Sequence, residues 1–227
     1  MSTIPKIIHL ISPSRQPPAQ YDPFIAQMKA LHPLWRFTIW DDPTASAVVD
    51  THFPDWKYYY DGYSLPVQRA DIYRAMVVYL YGGFYLDMDM HCLRSLDGLC
   101  ERQMVLGIEK ELSAEECTRF GHKYPVRIAN YMFGSKPQHA FWLDFLAAAK
   151  QVADAAIRHE SDILEGTGPG LLTKVYHASS LRYSDITLLS NPGRACLKSC
   201  GPASCHFGNY AVHLHLGSWR WETNRSV

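Results

Sequence analysis

The chain has 227 residues, 47% of them hydrophobic and 13% aromatic, enough to bury a full core as one domain over 1–227. Its 22 basic and 22 acidic residues give a formal net charge of zero, which argues against a nucleic-acid footprint and against a strong grip on anionic lipid, while local basic patches and peripheral membrane association stay open. The longest apolar run, 75–81, is far short of the roughly 20 residues that span a bilayer, and no signal peptide is visible, so the expected location is cytoplasmic.

Strand and helix patterns alternate along the chain. Lys6 to Ile11 reads as a strand, Phe24 to Leu31 as an amphipathic helix with Phe24, Met28 and Leu31 on one face, and Arg36 to Trp40 as a second strand. Asp42-Pro43 opens a short helix. Leu65-Pro66 opens another, whose apolar positions Ile72, Met76, Tyr79 and Leu80 recur at helical spacing and which puts Asp71 and Arg74 on one face. Gly82-Gly83 supplies the backbone freedom to end it, and the chain turns into the strand Phe84-Tyr85-Leu86. Met104 to Glu109 and Arg127 to Phe133 read as strands flanking a polar segment, Lys110 to Lys123, suited to covering a site. Gln138 to His159 is expected as the longest helix, apolar at Phe141, Phe145, Ala148, Val152 and Ala156. Pro169 opens a further helix; Ile186 to Leu189 and Tyr210 to Leu216 read as the last strands. The alternation implies an α/β fold with a mostly parallel sheet, which binds ligands beyond the carboxyl ends of its strands.

Asp87 and Asp89 stand one residue apart where the Phe84 strand ends. A continuing strand would point both carboxylates to one face and Leu86 and Met88 to the other. Two such carboxylates at the mouth of a core repel each other and lose hydration, which makes a divalent cation the natural third member. Asp71 and Arg74, three apart on a helix, read by themselves as an ordinary ion pair worth about 0.2–0.5 kcal/mol.

The run Arg69 to Asp89 resembles glycosyltransferases of the sugar-binding, Asp-x-Asp type, a family that includes Och1-like mannosyltransferases and, more distantly, the clostridial glucosylating toxins. Ile4-Pro5-Lys6-Ile7-Ile8-His9 resembles the opening strand of that family and Trp40-Asp41-Asp42 the end of its second. Thr167-Gly168-Pro169 is similar to its Thr-Gly-Pro turn, and Val212-His213 with Gly217-Ser218-Trp219 to its closing signature. These segments stand in the order of the family, which makes the match specific where a lone Asp-x-Asp is weak.

The resemblance implies a single-domain glycosyltransferase-A, Rossmann-like fold and transfer of a hexose, with retention, from a UDP- or GDP-sugar to a saccharide, lipid-linked or protein acceptor, as in polysaccharide biosynthesis. It implies a Mn²⁺ or Mg²⁺ cofactor held directly by Asp89, with Asp87 binding through water or accepting from the ribose, and His213 as third ligand. Asp71 and Arg74 would hold sugar and ribose hydroxyls, Ser218 the β-phosphate, and Trp219 would cover the donor. Ile8, Tyr85, Asn130 and Gly168 fall at donor-side positions. Ser12 stands where relatives commonly carry a Trp, a departure that puts base stacking in question; Trp35 or Trp40 could stand near, although Trp40 reads more simply as a core residue at the end of its strand. Glu109 and Glu111 are acceptor-side candidates. Absence of an amino-terminal anchor like that of Golgi relatives fits a bacterial, viral or otherwise cytosolic version.

Two other readings stay open at this point. A haloacid-dehalogenase-like Mg²⁺ phosphatase also ends an apolar strand in Asp-x-Asp, normally on its first strand rather than after two strands and two helices. An inactive carbohydrate-binding relative would keep the fold without turnover. The six cysteines are expected as free thiols. Cys196, Cys200, Cys205 and His206 lack the close Cys-x-x-Cys pair of zinc knuckles and read as a Gly/Pro-rich loop.

Overall fold

Residues 3–190, 193 and 205–217 are described by a computed structural model. Strand β1 (Ile7–Ile11) leads through helix α1 (Asp22–Leu31) to β2 (Arg36–Trp40). Asp41 then caps α2 (Asp42–His52) by accepting from the Thr44 amide, an Asp-Pro start that fixes the chain direction at the end of β2. A short α3 (Lys57–Gly62) precedes α4 (Pro66–Tyr81), buried along most of its length from Val67 to Val78, as expected of a helix that fills a core rather than lining it.

Helix α4 ends at Gly82 and Gly83, whose φ values of +64° and +92° few other residues tolerate. A Cβ on Gly83 would also lie 2.7 Å from the Ile7 carbonyl oxygen, so glycine lets β3 (Gly83–Leu86) dock directly beside β1. Strand β4 (Met90–Cys92) follows, then β5 (Met104–Glu111), α5 (Ala114–Phe120), β6 (Val126–Ser135), α6 (Phe141–Val152), α7 (Glu160–Gly166), α8 (Pro169–Ser179), β7 (Ile186–Leu189), β8 (His206–Phe207) and β9 (Ala211–His213).

The main sheet has the order β2-β1-β3-β6-β5-β7, with β6 running opposite to its neighbours and the other pairings parallel. One face packs on α2, α4, α6 and α8 through residues such as Val49, Ile72, Met76, Trp142 and Leu172. The other packs on α1 and on a second, antiparallel sheet of order β4-β9-β8, through Ile25, Met28, Met90, Phe207 and Ala211. Coverage on both faces explains why the strands read as apolar runs rather than alternating ones. The α/β class and mainly parallel sheet are as expected from the sequence.

Several boundaries differ from expectation for reasons of burial. Helix α6 spans 12 residues, not 138–159, and α4 with 16 is longer. Trp142, Phe145, Leu146 and Ala149 carry the buried face of α6, whereas Val152 is 38% exposed, so the apolar repeat beyond Ala149 has no core to enter. In α1 the buried positions are Ile25 and Met28, with Phe24 and Leu31 only partly covered. The segment 110–123 holds the short α5, begun by a reciprocal Ser113–Glu116 capping box, at the same end of the sheet as Asp87. The final strand is only three residues and joins the second sheet, which no sequence pattern announces.

Candidate active site

Strand β3 stops at Leu86, and Asp87 to Met90 form a turn closed by Met90 N–H donating to the Asp87 carbonyl at 3.1 Å. The two carboxylates therefore meet across a turn, not by the strand alternation the sequence suggested. The Asp87 amide donates to the Tyr131 carbonyl at 2.8 Å, which extends the β3–β6 pairing one step and pins the turn to the end of the sheet. Asp89 is gripped from the far end of the chain: its carbonyl accepts from Leu214 N–H at 3.2 Å and its Oδ2 from Leu216 N–H at 2.8 Å.

Pairing of β4 with β9 sets Met90 opposite His213. The imidazole Nε2 thereby lies 3.2 Å from Asp89 Oδ1 and 3.7 Å from Asp87 Oδ2. One ligand atom from each of Asp87, Asp89 and His213 falls within 4.8 Å of the others. His213 also stacks on Tyr131, with ring centres 4.6 Å apart, and its buried Nδ1 has no hydrogen-bond partner among the described residues. Two hard carboxylates and one imidazole, already converged, are a donor set that suits Mn²⁺ or Mg²⁺.

Burial raises the Asp87 carboxyl against the opposing pull of Arg74 and His213. Burial also acts to raise Asp89, but the His213 hydrogen bond and charge and the Leu216 amide outweigh it and hold the group below the ordinary carboxylate range. For His213 burial disfavours the cation, yet the two aspartates prevail and raise its pKa. Mutual compensation thus holds the charge of Asp89 and His213, while at Asp87 burial prevails.

A second group lies against the first. Arg74 Nη2 is 3.2 Å from Asp71 Oδ1, Nη1 is 3.4 Å from Asp87 Oδ1, and Nη1 also donates to the Asn130 carbonyl at 2.9 Å. Asp71 further accepts from Asn130 Nδ2 at 3.1 Å and from Thr167 Oγ1 at 3.0 Å. Of the roughly four lone-pair positions of a carboxylate, three are occupied. Burial pushes the Asp71 carboxyl up to about 6, opposed by Arg74 and Thr167. The guanidinium sits 4.6 Å over the Tyr85 ring, and the Tyr85 hydroxyl donates to Asp87 Oδ1.

Other sequence candidates fall in different places. Ile8 is wholly buried within the core and offers no surface to a ligand. Tyr85 is 2% exposed, with its hydroxyl on Asp87 and its ring under the Arg74 guanidinium. Trp35 is buried and donates to Asp97, which also pairs with Lys6 before β1; that is the opposite end of the sheet, out of reach of a base. Trp40 donates to His9 Nδ1 at 3.1 Å and stacks on Tyr81, so it belongs to the packing of β2 on α4. Ser12 is buried at the end of β1. Ser218, Trp219, Cys196 and Cys200 lie outside the described residues; Cys92, Cys100 and Cys117 are free thiols, and Cys205 Sγ lies 2.8 Å from His215 Nε2.

Gly168 sits in a close approach between α7 and Asp71. A Cβ there would stand 3.1 Å from Leu164 Cα and 3.5 Å from Asp71 Oδ2. Thr167 is the functional neighbour that the Thr-Gly-Pro match contained without its role being recognised, since only the fold brings it to Asp71. Arg127 was missed as well: it pairs with Glu165 at 3.2 Å, and its charge opposes the burial that keeps Glu109 raised. Glu111 is exposed at the end of β5.

Residues 18–111 match the family described as the glycosyltransferase sugar-binding region containing the DXD motif. Over 173 residues the chain is 28% identical to the mannosyl phosphorylinositol ceramide synthase SUR1 of Saccharomyces cerevisiae, covering 76% of this chain and 42% of that protein. Over 98 residues it is 35% identical to inositol phosphoceramide mannosyltransferase 3 of Schizosaccharomyces pombe, covering 43% of this chain and 28% of that one. The chain thus spans less than half the length of these curated relatives. In fold it is similar to the solved PaToxG glycosyltransferase, with a TM-score of 0.59 at 16% identity over 81% of this chain and 72% of that one. It is also similar to the ligand-free glycosyltransferase domain of the YGT toxin, with a TM-score of 0.52 at 8% identity over 97% of this chain and 84% of that one.

Proposed function

We propose, from the match of residues 18–111 to the glycosyltransferase sugar-binding region containing the DXD motif, that the chain transfers a hexosyl group from a UDP- or GDP-sugar to a hydroxyl of a saccharide or glycolipid acceptor, with a divalent cation and with retention. The observation that carries this reading is the convergence of Asp87, Asp89 and His213 within 4.8 Å beside the Asp71–Arg74 pair. Mn²⁺ or Mg²⁺ at those three residues would neutralise charge on the departing nucleoside diphosphate.

The chain's own groups supply orientation. Arg74 is fixed by Asp71, Asp87 and the Ala70 and Asn130 carbonyls, which engage four of its five N–H groups, so the remaining Nη2–H meets a donor hydroxyl without reorganising. Asp71 keeps one acceptor position for a sugar hydroxyl and otherwise serves as the brace of Arg74 and Asn130. Tyr85 holds Asp87 toward the cluster. With both oxygens of Asp71 engaged, a covalent glycosyl-enzyme intermediate there is disfavoured, which supports front-face attack by the acceptor hydroxyl while the leaving phosphate takes its proton. Glu109, whose carboxyl burial raises against the opposing charge of Arg127, is the acceptor-side carboxylate of this reading. The names of the two fungal relatives refer to phosphorylinositol ceramide and inositol phosphoceramide, which favours a lipid-linked acceptor. No helix among the described residues is long and apolar enough to cross a membrane.

The test is a screen of UDP- and GDP-hexoses for Mn²⁺-dependent release of nucleoside diphosphate, which needs no acceptor. Hydrolysis of a simple phosphate monoester without any sugar nucleotide would instead favour the phosphatase reading.

A further inference from the structure

A metal-ligating imidazole is ordinarily aimed by an acceptor on its other ring nitrogen. At His213 that nitrogen, Nδ1, is buried without a hydrogen-bond partner among the described residues, and the face of Tyr131 lies against the ring instead, with ring centres 4.6 Å apart and planes 26° from parallel. We propose that Tyr131 is a positioning residue of the cation site: its stacked ring aims His213 Nε2 at Asp87 and Asp89 and thereby sets how strongly Mn²⁺ is preferred over Mg²⁺. This role rests on the cation-dependent reading above and deepens it.

Strand β6 brings Tyr131 to the cluster by departing from its ladder with β5. Phe133 pairs with Leu106 and Ile128 with Ile108, so residues 129–132 stand opposite Gly107 alone. Within that bulge two carbonyls serve the site: Asn130 accepts from Arg74 Nη1 at 2.9 Å and Tyr131 from the Asp87 amide at 2.8 Å. The Tyr131 side chain, 3% exposed, reaches the second sheet, where its ring meets His213 on β9 and its hydroxyl donates to the His206 carbonyl on β8 at 3.4 Å. One residue thus holds Asp87 through its backbone and His213 through its ring.

The other contacts of the imidazole do not supply this constraint. Asp89 Oδ1, 3.2 Å away, meets Nε2, the atom a cation would take, so it cannot hold the ring while a cation is bound there. His215 lies 4.2 Å away, centre to centre, but at 51°, tilted rather than stacked. A stacked aromatic pair resists rotation of the ring, an effect worth roughly two- to tenfold in an equilibrium. The benefit differs between ions. Mg²⁺ is served by carboxylates and water, whereas a transition ion such as Mn²⁺ gains more from a nitrogen donor, so an imidazole turned aside would narrow the preference.

Calorimetric titration of the full chain with Mn²⁺ and with Mg²⁺, without nucleotide, tests this. Tyr131→Leu should weaken Mn²⁺ binding about tenfold and Mg²⁺ binding less than about threefold. Tyr131→Phe, which keeps the ring and loses only the hydroxyl, should retain the unmodified ratio. Added to His213→Ala, Tyr131→Leu should cost no further Mn²⁺ affinity, because it acts through the imidazole. Equal losses for the two ions, or a further loss on the His213→Ala background, would assign Tyr131 to packing alone and overturn the proposal. In the metal-free, unmodified chain the His213 ring protons should be shifted upfield in NMR spectra by the Tyr131 ring current, a readout that stands even if Tyr131→Leu does not fold; unshifted protons would also overturn it. Mn²⁺ binding that His213→Ala weakens and Tyr131→Leu spares would overturn this role alone, whereas no Mn²⁺ binding by the unmodified chain would overturn it together with the cation-dependent reading.

Discussion

Arg74 reaches from the middle of α4 to the carboxylate of Asp87 just past β3, with Nη1 3.4 Å from Oδ1, while its other terminal nitrogen holds Asp71 at 3.2 Å. One buried guanidinium thus links the pair on the helix to the pair in the turn. Burial disfavours its charge, but Tyr85, Asp87 and Asp71 more than offset that and raise its pKa, so Arg74 remains a cation at any working pH. The geometry makes four side chains one unit, and single changes in it should not be additive.

Asp89→Asn should abolish stimulation by Mn²⁺ and lower donor hydrolysis by on the order of 10²–10³, because it removes the carboxylate of the cluster that is held below the normal range and braced by Leu216 N–H. Titration of donor hydrolysis with Mn²⁺ checks this; an unchanged metal response would sink the assignment of Asp89 as ligand.

His213→Ala should weaken Mn²⁺ binding measured by calorimetry, roughly 10–100-fold, since the imidazole is the third group of the cluster. Retained affinity would mean that the third ligand lies elsewhere. Loss of the Tyr131 stack makes a thermal melt the necessary companion measurement.

Tyr85→Phe should leave the fold intact and lower kcat roughly tenfold, because the ring still fills the core and supports Arg74 while the hydroxyl that orients Asp87 is gone. An undiminished kcat would show that Asp87 needs no such brace.

Asp71 sets a pH dependence. Its pKa is raised to about 6, so in the folded state it takes up a proton as pH falls through that value and loses its ion pair with Arg74. Donor hydrolysis should therefore decline below about pH 6, and Asp71→Asn should be slow throughout and lack that limb. For stability the sign is the reverse of a salt-bridged acid: the raised pKa means the ionised group opposes folding, so its contribution worsens as pH rises from 3.8 to about 6.

His9 gives the opposite slope. Its Nε2–H donates to the Gly82 carbonyl at 2.8 Å and its Nδ1 accepts from Trp40, which fixes the neutral ring, and burial lowers its pKa to about 4. The unfolded chain binds the extra proton between pH 6.5 and about 4, so thermal stability should be complete above 6.5 and fall through that window. In His9→Gln the melt should be lower at neutral pH but flatter in acid; an equally steep acid loss would point to other groups.

What the sequence by itself determined was local. Pro66, the helical spacing of Ile72 and Met76, the Gly82-Gly83 break and the following strand lie within about twenty residues and encode one helix-turn-strand unit, so Asp71, Arg74, Asp87 and Asp89 were legible together. Even there the sequence misjudged how the aspartates meet, because a turn and a continuing strand share the same apolar pattern up to Leu86. The ordered family-like segments pointed to His213 and to the Thr-Gly-Pro turn, but not to their partners.

The tertiary structure alone decided those partners. Thr167 meets Asp71 across 96 residues, Leu216 meets Asp89 across 127, and Asn130 meets Asp71 across 59. Such contacts follow from strand order, the reversed β6 and the small second sheet that delivers β9 to β4. Helical and strand periodicity report which face of one element is buried; they carry no information on which distant element covers it, since that choice is made by the summed packing of the whole core.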